Sequence, residues 1–164
     1  MAALLMLSVL HHRSRIEELL GGAPDAFTVV PSTRGVPFNK QPLRNVLNLI
    51  VPWRRQLVQL LEHDPNVKVP RRSYRPEAFR PVGSVEGARV VLVEDLWVSG
   101  AKAVSAAGSL IQAGAHRVVI VPIARMIDPP GSAFFAADHP YFEWMMEEHD
   151  YKRWPREGVP RYDF

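Results

Sequence analysis

The chain has 164 residues, 47% of them apolar, which is enough for one compact domain with a sizeable core and too few to expect two. Its 20 basic and 17 acidic residues leave a net charge of +3, a balance that selects neither phosphate recognition nor a merely solvated surface. There is no cysteine, so a disulfide framework, a thiolate metal site and a catalytic thiol are excluded, and a reducing compartment is permitted.

The opening run from Met1 to Leu10 is apolar, but no basic segment precedes it and no small-residue cleavage pattern follows it. It is also shorter than the roughly 20 residues that cross a bilayer. The better reading is a helix continuing through Ile16, Leu19 and Leu20 and stopping at Gly21-Gly22, in a chain that is cytoplasmic and makes no membrane contact. Ala26-Phe27-Thr28-Val29-Val30-Pro31 then reads as a buried strand entering the loop Ser32-Thr33-Arg34-Gly35. Pro42 opens a helix with Leu43, Val46, Leu47 and Ile50 at helical spacing, before Pro52 interrupts it. A second helical run carries Trp53, Leu57, Leu60 and Leu61 and ends near Asp64-Pro65.

Val67-Lys68-Val69 is a weak strand candidate, and the proline- and arginine-rich stretch from Pro70 to Gly87 reads as a long loop of the kind that often serves as a lid. Val90-Val91-Leu92-Val93 runs without alternation, as a strand buried on both faces of a parallel sheet should. Residues 101–113 form a small-residue helix with Val104, Ala107, Gly108 and Ile111 on one stripe, closed by Gly114. Val118-Val119-Ile120-Val121 is a second unalternated strand, so strand, helix and strand fall within the span of one right-handed βαβ unit. Beyond Pro130 regularity fades, with a short helix expected over Tyr141 to Glu148 and an irregular tail.

Ligands of an open parallel sheet collect beyond the carboxyl ends of its strands, which is where the loop after Val93 falls. That loop holds Glu94, Asp95, Ser99 and Gly100 and opens a helix, whose N–H groups attract a phosphate that Gly100 lets approach closely. An ordinary strand-to-helix turn would look much the same. The six histidines form no metal-type pair, since His11 and His12 are adjacent and His139 and His149 lie in the tail. Trp97 either stacks on a ligand or caps the core, and Trp144 and Trp154 either line a hood or pack a subunit contact, so a homodimer stays open.

The run Val90-Val91-Leu92-Val93-Glu94-Asp95-Leu96-Trp97-Val98-Ser99-Gly100-Ala101 resembles the phosphoribosyl pyrophosphate signature of type I phosphoribosyltransferases, and the likeness extends over residues 89–125. The resemblance implies an α/β fold with a central, mostly parallel sheet flanked by helices and a small irregular hood. The chain would then be a single domain over 1–164, with a core of about 24–127 and an irregular segment over 128–164. It further implies that Glu94 and Asp95 hold the ribose 2- and 3-hydroxyls, while Val98, Ser99, Gly100, Ala101 and Lys102 wrap the 5-phosphate. Ser32, Thr33, Arg34 and Gly35 resemble the family's pyrophosphate loop, with Arg34 as the cationic contact.

Within the family, Pro31 to Gly35, Phe38 to Gln41 and Arg75 to Phe79 look most like the ComF-like and amidophosphoribosyltransferase-like branch, with Arg71 to Arg80 as the loop that closes over substrate. Two residues depart from the pattern. Val98 stands where relatives carry a hydroxyl or a proton-exchanging carboxylate, which disfavours a purine acceptor, and Lys102 replaces a hydroxyl residue. The implied activity is transfer of a phosphoribosyl group from phosphoribosyl pyrophosphate to a nitrogen acceptor, with release of pyrophosphate and no general base. Mg²⁺ would be the cofactor, held mainly by the ligand, with Glu94 and Asp95 as its protein contacts. Two alternatives are a non-catalytic regulatory protein that binds the same ligand and a ComF-like factor associated with DNA uptake, for which the basic Arg71-Arg72 region would meet nucleic acid.

Overall fold

A computed structural model describes residues 12–49 and 55–125. The chain divides into two compact units, Met1–Arg125 and Met126–Phe164, and every described residue belongs to the first. The helix expected over Tyr141 to Glu148, the irregular segment over 128–164 and its tryptophans lie outside the described residues, as does the opening apolar run.

The first unit is α/β, with a three-stranded parallel sheet in the order β1 (Ala26–Val29), β4 (Arg89–Trp97), β5 (Arg117–Arg125). β4 is central, with Val29 opposite Val93 on one side and Val93 opposite Val121 on the other. Its side chains alternate between two cores. Val91 and Val93 meet Phe27, Val29, Ile16, Leu20 and Leu47, while Val90 and Leu92 meet Ala106, Leu110 and Phe79. Burial on both faces explains why this strand shows no alternation in sequence. Truncating Leu92 to alanine would cost about 2–5 kcal/mol.

Helices cover both faces. On one face lie α1, helical over residues 12–20 among those described, and α2 (Pro42–Leu47). α1 buries Ile16 and Leu20, four residues apart, and keeps the ion pairs Arg13–Glu17 and Arg15–Glu18 at its surface. It stops where Gly21 turns to φ +72 and the Gly22 N–H reaches back to the Glu17 carbonyl at 2.8 Å. On the other face α3 (Ala101–Gln112) lies against β4 and β5.

The α3 stripe expected from Val104, Ala107, Gly108 and Ile111 is not the one that packs. Val104 and Ile111 are exposed, and the buried residues are Ala101, Ala103, Ser105, Ala106, Ser109 and Leu110. Small alanine and serine side chains let the helix lie close to the sheet, with Leu110 the one large residue of the packed stripe and Val104 and Ile111 outside it.

The second helical run also folds differently. Phe27 N–H donates to the Gln56 carbonyl at 2.8 Å and Val58 N–H to the Phe27 carbonyl at 3.0 Å, so Leu57 extends the sheet beside β1. Leu61–His63 then forms β2, paired antiparallel with β3 (Phe79–Pro81). Val67 and Val69 lie outside any strand, half-buried against the second core.

The stretch read as a lid is instead strapped to α3. Ser105 Oγ accepts the Arg75 N–H at 2.9 Å, Ser109 Oγ donates to the Phe79 carbonyl at 2.7 Å, and the Tyr74 ring lies directly on Gly108. Both serines are buried, so the hairpin and the 3₁₀ turn Pro76–Ala78 are held by satisfied polar contacts. No helix among the described residues is long and apolar enough to cross a membrane.

Candidate functional site

Because the three strands are parallel, their carboxyl ends share one edge of the sheet. β1 is the shorter strand. The Val30 N–H still donates to the Val93 carbonyl at 3.0 Å, and then Pro31 turns the chain away into Ser32-Thr33-Arg34-Gly35. β4 continues past it. Glu94, Asp95, Leu96 and Trp97 were expected in a loop, but they stay in strand conformation because β5 runs on beside them, with Glu94 opposite Pro122 and Leu96 opposite Ala124. The connection to α3 is therefore only Val98, Ser99 and Gly100.

Strand alternation places Glu94 on the face of Val90 and Leu92, toward α3, and starts Asp95 on the other face. At this exposed edge Asp95 nevertheless bears on the ionisation of Glu94. Glu94 is half-buried and Asp95 exposed, with Asp95 Oδ1 accepting the Leu96 N–H at 2.7 Å. Burial foremost, then the charge of Asp95 and the hydrogen bond to it, push Glu94 up to about 7, while Lys102 in the first turn of α3 pulls the other way. The acid pair thus sits beside the start of the helix.

That start is open. Gly100 is the N-cap at φ +73 and, lacking a side chain, makes no capping bond of its own. Ser99 Oγ accepts the Ala101 N–H at a long 3.4 Å, and Lys102 is exposed at the next position. The helix dipole and uncapped N–H groups leave partial positive charge here. Gly100 is buried, and the Trp97 ring occupies the place where a β-carbon on it would stand. Val98 is exposed.

Across the edge, Ser32 Oγ accepts the Arg34 N–H at 3.2 Å, and Gly35 holds φ +71. Ser32 and Thr33 are half-buried and the Arg34 side chain is exposed. One end of the sheet thus carries Ser32 to Gly35 on one loop, Glu94 and Asp95 at the end of β4, and Val98 to Lys102 around the helix start, while Arg71 to Arg80 lie elsewhere and Trp144 and Trp154 fall outside the described residues. Along this edge Arg34, Asp95, Val98 and Lys102 are exposed. A depression of about 500 Å³ opens at the opposite end of the strands, between Gly21, Asp25, Arg89 and His116. Asp25 and Arg89 are locked together there by three hydrogen bonds of 2.9 to 3.1 Å, as in a structural clasp.

Among the described residues no cluster of three or more histidine, cysteine or acidic side chains could hold a metal by itself. Glu94 with Asp95 offers two carboxylates, a donor set suited to a hard cation that takes its remaining oxygens from a ligand and water. Beyond the first loop follow two further cations, Lys40, singled out in the sequence only within Phe38 to Gln41, and Arg44, which was not singled out. The signal that finds them is the absence of any acid between Asp25 and Glu62. No protein-family model and no curated protein matches the chain.

Proposed function

We propose that this chain is a phosphoribosyltransferase of the type I kind, a pentosyltransferase that binds phosphoribosyl pyrophosphate and passes its phosphoribosyl group to a nitrogen acceptor. The observation that carries the reading is the placement of Glu94 and Asp95 beside the uncapped, glycine-started helix α3. Carboxylates accept from sugar hydroxyls, and helix-start N–H groups donate to a phosphate, so one short segment meets both ends of a ribose 5-phosphate. The finer fold assignment, with a hood built from 128–164, belongs to this same proposal, as does a cytoplasmic setting for a chain without cysteine.

In this reading Glu94 and Asp95 orient the ribose, Val98 to Lys102 anchor its phosphate, and Ser32, Thr33, Arg34 and Gly35 receive the pyrophosphate. Mg²⁺ would neutralise charge on the departing pyrophosphate, with Glu94 and Asp95 as the protein's contacts to it. Catalysis by the chain is positioning and charge stabilisation, and no side chain serves as general base.

Calorimetric titration with phosphoribosyl pyrophosphate and Mg²⁺ tests the proposal. The wild type should release heat, and Asp95→Asn should bind about tenfold more weakly. A wild type that gives no heat removes the reading. The exposed Val98, an apolar side chain in the phosphate loop, favours a second reading, a regulatory protein that binds the ligand without turning it over. Binding with no pyrophosphate release across a panel of nitrogen acceptors would select it.

A further inference from the structure

Two glycines at positive φ belong to the candidate site, and the chain treats them differently. A β-carbon on Gly35, at φ +71, would meet no atom within 4 Å. A β-carbon on Gly100, at φ +73, would run into Cζ2, Cε2 and Cη2 of the Trp97 indole. Gly100 is accordingly buried, although Val98 two residues before it is exposed. The space left by the missing side chain is therefore filled by the chain's own ring, so the glycine serves the indole before it serves any ligand.

That ring hangs from a fixed point. Trp97 is the last residue of β4 and lies opposite Arg125 in the register with β5, so the sheet sets where its side chain begins. On the far side of the connection, buried Ala101 and Ala103 seat the first turn of α3, and the Gly100 carbonyl already accepts the Val104 N–H at 2.9 Å. Only Val98, Ser99 and Gly100 lie between these two anchors, and the bond from the Ala101 N–H to Ser99 Oγ is long at 3.4 Å. Glycine has more backbone freedom to lose than any other residue, and the indole packed on Gly100 removes that freedom before a ligand arrives.

We infer that Trp97 is a positioning residue for the phosphate end of the proposed ligand: its ring, packed on Gly100, presets the helix-start N–H groups that receive the phosphate. This rests on the proposed function and adds to it a residue that acts through Gly100. Donors ordered in advance bind more tightly than donors that must be ordered on binding, by about tenfold for the backbone of one residue.

The test is calorimetric titration of the wild type, Trp97→Phe and Trp97→Ala with ribose 5-phosphate, below the melting midpoint of every variant, with indole emission followed in parallel. Trp97→Ala should bind about tenfold more weakly, and Trp97→Phe, whose smaller ring fills part of the space, should fall between it and the wild type. Emission should change on binding, and because the chain has four tryptophans the change is assigned to residue 97 by its loss in Trp97→Phe. A ring that served stability alone would give neither the emission change nor the loss of affinity. Should Trp97→Ala fail to fold, Trp97→Phe carries the comparison. Variants that bind ribose 5-phosphate as the wild type does, whatever their melting midpoints, overturn the inference and leave the phosphoribosyl site standing. A wild type that gives no heat with ribose 5-phosphate, or with phosphoribosyl pyrophosphate and Mg²⁺, removes the site and the inference together.

Discussion

The six-membered ring of Trp97 fills the space that a β-carbon on Gly100 would need. The strand's last residue thereby packs against the helix's N-cap, three positions further along the chain, and the turn between them is fixed by contact as well as by backbone geometry.

Gly100→Ala should therefore be destabilising on two counts. The left-handed φ of +73 costs a residue with a side chain about 1–2 kcal/mol, and the added methyl meets the indole. Urea denaturation of Gly100→Ala, Trp97→Ala and the double variant should show coupling, with Gly100→Ala milder in the Trp97→Ala background. Strictly additive losses would mean that the ring yields freely.

Glu94 should make stability and affinity for the proposed sugar phosphate move in opposite directions with pH. Its folded value of about 7 lies above its ordinary 4.5, so the folded state holds the extra proton and the group's stabilising contribution is present at low pH. That contribution is lost as pH rises from about 4.5 through 7. The melting midpoint of Glu94→Gln should lack this decline. Affinity for ribose 5-phosphate should rise over the same range in the wild type, because the carboxylate is the form that accepts from hydroxyls.

The clasp between Asp25 and Arg89 carries the opposite sign. Hydrogen bonds from the Arg89 side chain and backbone hold Asp25 below its ordinary 3.8, so its contribution is present above that value and is lost as pH falls through the depressed one. Asp25→Asn should melt earlier than wild type at neutral pH, and the gap should close in strong acid. A gap that stays constant down to low pH would show that the charge is immaterial.

Ser105→Ala and Ser109→Ala strand the Arg75 N–H and the Phe79 carbonyl, respectively. Each should cost about 1–3 kcal/mol, and trypsin should cut faster after Arg71 or Arg72 in both variants. Cleavage at the wild-type rate in both would mean that the strap is held by the β2–β3 pairing alone.

What could be read from the sequence was whatever both faces of the sheet dictate. Val90 to Val93 and Val118 to Val121 announce buried parallel strands because neither side of them meets water, and Gly21 and Gly114 mark helix ends through a conformation that glycine adopts at no steric cost. The β2–β3 hairpin escaped because Leu57, Leu60 and Leu61 mimic helical spacing, and strands as short as Leu61–His63 leave no period to detect. The phase of α3 was misjudged because Val104 and Ile111 drew the stripe one position away from the buried face of Ala103, Ala106 and Leu110, whose alanines give little hydrophobic signal. At the candidate site, the residue types were legible but the length of β4 was not. What holds Glu94 to Trp97 in the strand is β5, more than twenty residues downstream, and no local pattern reports it.

The overhang of β4 past β1 also means that the two parts of the candidate site are positioned by different means. Glu94 and Asp95 take their position from backbone pairing with β5, whereas Ser99 and Gly100 belong to a three-residue connection packed under Trp97. Residues in that connection can therefore be exchanged without moving the acids. One residue inserted before Glu94 would instead carry both carboxylates to the wrong sides of the sheet.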